Sequence, residues 1–323
     1  RVEQKSGLPV SENQVKELEK ARDQIDLDRV AEIESETRHD VMAHIHHYGE
    51  VAPGAAGIIH LGVTSCFVTD NADLVLFRRA LEMIENRLLL AIHDLGRFCR
   101  QQANVPTLGL THLQPAQLTT IGKRASLWLQ DLVDAYKDLV EFRERLPLRG
   151  LKGTTGTQAT FLHLCGGDGD KVDQLESNLA NELGFDRVFD LCGQTYPRIW
   201  DHKLASRLTD VAIAVHKAAT DIRLLQSWGE VEEPYESTQV GSSAMPYKRN
   251  PMRSERLCAL CRHVMTLAPG LGQLAANQWM ERTLDDSAQR RVQIPGLFLA
   301  LDAILIISRN VFAGLGVHDD VRM

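Results

Sequence analysis

The sequence predicts an all-α protein: a bundle of long helices with a smaller helical domain at the N-terminal end. Three observations carry this. Apolar residues recur at steps of three and four over runs far longer than the roughly 11–12 residues of an average globular helix. No period of fixed length repeats along the 323 residues, which argues against a helical solenoid. The polar clusters rich in glycine and proline fall between the long runs, as expected where rigid rods are joined by shaped turns.

The segment before Gly62 reads as the smaller helical domain, with a break around Ala52-Pro53-Gly54-Ala55-Ala56-Gly57. The expected division is 1–64 for that domain, 65–317 for the long-helix bundle and 318–323 for the start of a further domain. In the first long run, Leu74, Phe77, Leu81, Ile84, Leu88, Ile92, Leu95 and Phe98 mark one buried helix face. Asp70 is a suitable N-cap, with Asp73 favoured in the first turn. Continued to about residue 103, this helix is on the order of 50 Å long. Similar patterns predict helices over about 115–146, 201–228, 251–280 and 285–315. Rods of that length need partners along their whole extent, supplied within one chain or by a symmetric oligomer.

Composition narrows the function. Apolar residues make up 44% of the chain, so it is globular rather than disordered. A net charge of −7 argues against a nucleic-acid partner, but local charge can still bind an anionic small molecule. No signal peptide is visible in Arg1-Val2-Glu3-Gln4-Lys5, and no apolar run is read as long enough to span a bilayer, so no membrane partner is expected. The first residue is not Met, so the start is expected to lie outside this sequence. Six cysteines without a disulfide-framework spacing fit a reducing cytoplasm.

The richest segment is the loop from Gly241 to Glu255, reading Gly-Ser-Ser-Ala-Met-Pro-Tyr-Lys-Arg-Asn-Pro-Met-Arg-Ser-Glu. Pro246 and Pro251 break any helix there, leaving a polar, shaped segment that feeds a helix. Ser242 can serve as a base only as its alkoxide, which nearby cations and backbone N–H groups would have to favour. Lys248 and Asn250 are close enough in sequence to bind a carboxylate. The plain alternative is an ordinary surface loop. His112 lies in Gly109-Leu110-Thr111-His112-Leu113-Gln114-Pro115-Ala116-Gln117, just before a helix expected to begin near Pro115. There it can give up a proton near neutral pH, with Glu255 as a carboxylate partner; taken alone, a loop histidine is more often an exposed or capping residue.

The remaining clusters are weaker. Thr37-Arg38-His39-Asp40 is read as part of a helix, where Arg38 can grip a phosphate or merely join a solvated face. His44, His46 and His47 lack a matching ligand set, so no metal is expected. Cys258 and Cys261 form a single pair, better explained by packing. Lys152-Gly153-Thr154-Thr155-Gly156-Thr157-Gln158 is not a P-loop, yet its N–H and hydroxyl donors suit carboxylates. Beyond Arg282, Ser287 and Arg291 share a helix face; the cluster suits a nucleotide phosphate, or is a plain exposed face.

Taken in chain order, Arg38 to Asp40, Gly62 to Ser65, Thr111 to Pro115, Lys152 to Gln158, Gly193 to Thr195, the loop ending at Glu255, and Glu281 to Ser287 resemble the signature series of the fumarase/aspartase superfamily. Within it the text looks most like the adenylosuccinate lyases, over nearly the whole chain. The resemblance implies an all-α, long-helix bundle of the fumarase/aspartase type in a homotetramer, each active site drawing loops from three subunits. It implies β-elimination of fumarate from succinyl-nucleotide substrates, without a cofactor. Ser242 would be the general base and His112 the general acid paired with Glu255, with Lys248 and Asn250 on the carboxylates. Arg38, His39, Asp40, Thr64, Ser65, Thr111, Gln194, Met245, Arg256, Arg282, Ser287 and Arg291 would hold the substrate. A sister lyase of the argininosuccinate type, or a crystallin-like structural relative, is the alternative. The family's N-terminal segment with an Arg-Tyr pair and most of its C-terminal helical domain are missing, so the chain reads as a trimmed portion.

Overall fold

Helical periodicity decides most of the architecture. The computed structural model describes residues 1–318; the remainder of the closing segment expected at 318–323 lies outside the described residues. The first helices are short: α1 (Val2–Lys5), α2 (Glu12–Ala21), α3 (Leu27–Thr37) and α4 (Asp40–Val51), followed by a 3₁₀ turn at Pro53–Ile58. Helix α5 (Ser65–Gln101) is the first long rod. Strands β1 (Pro106–Thr111) and β2 (Gln114–Thr120) form a hairpin that leads into α6 (Ile121–Arg145). Two short helices follow, α7 (Ala159–Leu164) and α8 (Gly169–Glu182), and then α9 (Ile199–Ser227). Strand β3 (Val231–Glu232), α10 (Met252–Ala276), α11 (Asp286–Gly314) and β4 (Gly316–Val317) complete the described chain.

The chain divides into two compact units. The first comprises Arg1–Arg78, Arg145–Pro197 and Gln278–Leu284. Its main core joins Leu8, Leu151, Phe161, Val172 and Leu175. A buried ion pair, Lys152 Nζ to Glu176 Oε1 at 2.8 Å, lies beside it. The second comprises Arg79–Glu144, Arg198–Asn277 and Asp285–Met323. Here α10 packs along both α9 and α11. Helix α9 buries Leu204, Leu208, Val211, Val215, Ile222 and Leu225 together with Ala205, Ala212, Ala218 and Ala219; the alanines permit close helix approach.

Four sequence expectations need correction. The segment from Pro115 is not the start of a helix but strand β2, and α6 begins only at Ile121. Proline is tolerated because both strands of a two-stranded sheet are edges, where an N–H can be spared. Asp70 does not cap a helix. It lies inside α5, is 1% exposed, and its Oδ2 accepts the Tyr196 N–H at 2.8 Å. Residues 37–40 are not one helix: α3 stops at Thr37, Arg38 takes a left-handed φ of 55°, and His39 caps α4 by accepting the Met42 N–H. Lastly, α11 is by length and composition alone apolar enough to cross a membrane, contrary to the reading that no run is. Four of its charged groups pair within its unit: Asp286 with Arg198, Arg290 with Asp201, Asp302 with Arg87 and Arg309 with Asp94.

Candidate active site

The Gly241–Glu255 segment is folded on itself. Ser242 is half-buried, and its Oγ accepts the backbone N–H groups of Ala244 at 3.3 Å and Met245 at 3.2 Å. Two N–H dipoles aimed at one oxygen favour its anionic form, the condition Ser242 needs to act as a base. The Asn250 amide donates to the Gly241 carbonyl at 3.1 Å, and the Lys248 N–H to the Met245 carbonyl at 3.0 Å. A methyl group at Gly241 would sit 2.0 Å from the Lys248 carbonyl oxygen, so only glycine lets the loop close. Arg249 turns outward to Glu232 at 2.8 Å and lies over the Tyr235 ring, while Lys248 is exposed. Met245 is also exposed. Glu255 and Arg256 stand exposed in the first turns of α10.

His112 sits at the tip of the hairpin. Thr111 pairs with Gln114, leaving His112 and Leu113 as a two-residue turn with φ of 54° and 60°. Positive φ at both positions is the type I′ geometry that matches the twist of paired strands. His112 is exposed on this arm. Among the described residues no hydrogen bond or ion pair joins His112 to Glu255 within the chain. Thr111 lines a cleft of about 500 Å³ together with Lys123, Lys217, Asp221 and Trp228.

In the first unit, three separate stretches converge on Gln194. Its N–H donates to the Glu281 carbonyl at 2.8 Å, its carbonyl accepts Arg149 Nε–H at 2.8 Å, and its side-chain oxygen accepts the Cys66 thiol at 3.4 Å. This brings Gln194 next to the residues that precede Arg282 and follow Ser65. Thr64 is buried and Ser65 opens α5. A Cβ on Gly193 would meet the Glu281 carbonyl at 2.4 Å, and one on Gly156 the Cys192 carbonyl at 1.9 Å. The Lys152–Gln158 loop therefore packs at Gly156 against the Cys192–Gly193 backbone. Arg38 and His39 are exposed at the α3–α4 corner, with Asp40 partly covered. Ser287 and Arg291 belong to the second unit, one turn apart on α11.

Known proteins resemble this chain in sequence and in fold. Residues 3–266 match the lyase family. An adenylosuccinate lyase of Saccharomyces cerevisiae is 49% identical over 322 residues, covering 99% of this chain and 67% of the relative. One of Schizosaccharomyces pombe is 50% identical, covering 90% of this chain and 60% of the relative. This chain belongs to the adenylosuccinate lyase family. Among solved structures, the 3-carboxy-cis,cis-muconate lactonizing enzyme of Pseudomonas putida superposes with a TM-score of 0.85 at 26% identity, covering 98% of this chain and 70% of that one. The chain thus spans about 60–67% of the length of these curated relatives.

Backbone strain in this family member coincides with the motifs. Among the described residues, the non-glycine positions with positive φ are Arg38, His112, Leu113 and Met280. Two are candidate site residues, and Met280 precedes the Glu281-Arg282 pair. Sequence reasoning missed Arg149, which is 0% exposed and donates to the carbonyls of Gln194, Lys152 and Gly153. Its signal was an arginine set directly before a glycine-rich loop. Among the described residues no group of three or more His, Cys, Asp and Glu side chains converges as metal ligands. His47 is buried and its Nε2 accepts the Asp26 N–H. Cys258 and Cys261 are buried in α10, and burial pushes the Cys261 thiol up to about 12.

Proposed function

We propose that the whole protein releases fumarate from adenylosuccinate, leaving AMP, and from SAICAR, leaving AICAR, in purine nucleotide biosynthesis. The observation that carries this reading is the 49% identity, sustained over 99% of the chain, to a relative named for the first of these reactions. The chemistry of the site fits it. Ser242, as alkoxide, takes the hydrogen from the carbon next to one succinyl carboxylate. Lys248 and Asn250 steady the negative charge that spreads into that carboxylate. The electron pair forms the carbon–carbon double bond as the carbon–nitrogen bond breaks, and His112 protonates the departing nitrogen. No metal or cofactor takes part.

The exposed placement of His112, Lys248, Glu255, Arg256 and Arg38 supports a site completed by other copies of the chain. In this reading the protein is a cytoplasmic homotetramer. Glu255 of one subunit orients His112 of another, and each site collects elements from three subunits. The remaining substrate contacts come from His39, Asp40, Thr64, Ser65, Thr111, Gln194, Met245, Arg282, Ser287 and Arg291. A direct assay of the whole protein for fumarate released from adenylosuccinate tests the proposal, with argininosuccinate as control. Inactivity toward both succinyl nucleotides would reject it.

A further inference from the structure

The stretch Glu230 to Glu233 carries carboxylates to which none of the steps above gives a role. Glu230 and Glu233 are 4% and 5% exposed. Glu230 Oε2 accepts Arg124 Nη1–H at 2.6 Å and the Thr107 hydroxyl at 3.1 Å. The same Arg124 donates Nη2–H to the Leu108 carbonyl at 2.7 Å. Thr107 and Leu108 are the root of β1, the arm that carries His112 at its tip. Glu233 acts on the other element. Its two oxygens accept the Ser254 N–H at 2.8 Å and the Arg253 N–H at 3.0 Å, capping the start of α10 where the Ser242 loop ends.

Between the two, Glu232 pairs with Arg249 inside that loop. The strand itself is pinned by β4, with Val231 opposite Val317 and Glu232 opposite Gly316. Gln226 closes the frame: its side chain accepts the Glu233 N–H at 3.1 Å and donates to the Arg249 carbonyl at 3.2 Å. A buried carboxylate is tolerated only when its donors are in place, so each glutamate specifies one geometry for the segment it holds.

We infer that Glu230 and Glu233 are positioning residues for the elimination: one short strand fixes the root of the proton donor's hairpin through Glu230 and the end of the base's loop through Glu233. This rests on the roles given above to His112 and Ser242. Neither glutamate touches the reacting atoms. Their effect is geometric, and a displacement of about 1 Å in a reacting group costs on the order of a hundredfold in rate.

The test uses Glu230→Gln and Glu233→Gln in the whole protein, each keeping the side chain's shape while removing its charge. Turnover of adenylosuccinate is expected to fall roughly 10- to 100-fold in each, with KM moving less than about twofold. Amide hydrogen exchange is expected to quicken only across 106–120 in the first variant and only across 241–256 in the second. Unchanged turnover, or exchange that stays the same or rises throughout the chain, overturns the inference. If the unmodified protein turns over neither succinyl nucleotide, the assigned activity fails, and the exchange pattern still decides the positioning. Should Glu230→Gln not fold, Thr107→Val removes one of its donors and must give the same hairpin-limited exchange.

Discussion

Arg149 donates its Nε–H to the carbonyl of Gln194 at 2.8 Å, while its other two nitrogens hold the carbonyls of Lys152 and Gly153. A single arginine with no exposed surface thus ties the glycine-rich loop to the segment carrying Gln194. Arg149→Met would leave these buried acceptors without their donor. We expect a loss of roughly 3 kcal/mol or more in stability, read as a lower urea midpoint. An unchanged midpoint would show that other donors or water replace the guanidinium.

His112 occupies a left-handed position in a two-residue turn. Alanine there would confound lost chemistry with a strained hairpin, whereas asparagine accepts this backbone. His112→Asn is expected to lower kcat by roughly 10²–10⁴-fold and to leave KM nearly unaltered, because the role proposed for the imidazole is on the leaving nitrogen. Steady-state kinetics on adenylosuccinate check this, and a normal kcat would remove His112 from its proton role.

Ser242, the proposed base, accepts the N–H groups of Ala244 and Met245. Ser242→Ala should leave the protein folded but cut elimination by roughly 10²–10⁴-fold. The exposed neighbour Ser243, changed in the same way, should lose far less. Equal losses in the two variants, measured as fumarate released, would move the base assignment.

Burial, assisted by Arg262 and Arg223, holds the His216 imidazole below its ordinary value of 6.5. The folded protein then binds fewer protons here than the unfolded chain. The contribution to stability is fully present above the unfolded value and is lost as pH falls through the folded one. Urea midpoints between pH 7.5 and 5.5 should therefore drop more steeply in the unmodified protein than in His216→Gln. Parallel profiles would show that His216 is not a source of that dependence.

Much of the fold was legible because side-chain burial on a helix repeats every three to four residues. Leu74, Phe77, Leu81, Ile84, Leu88, Leu95 and Phe98 are all buried along α5, as their spacing requires; only Ile92 yields its place in that face to Ala91. The hairpin was not legible. Pro115 marks a helix start and an edge strand equally well, and only the pairing of Thr111 with Gln114 separates the two. Asp70 looked like a cap because caps are local, whereas its partner, the Tyr196 N–H, is remote in sequence.

The sequence by itself determined that long helices build the fold and that the polar motifs fall mostly between them. Helix periodicity, proline breaks and the types of side chain in the turns are local properties, readable without neighbours. Only the tertiary structure decided that His112 rides on a strand turn, that Cys66, Arg149, Gln194 and Glu281 form one cluster, and that Glu230 and Glu233 face buried donors from different segments. Those relationships depend on hydrogen bonds between residues far apart in sequence, 128 for Cys66 and Gln194, 106 for Arg124 and Glu230, 45 for Arg149 and Gln194 and 21 for Glu233 and Ser254, fixed only when burial removes water as the competing partner.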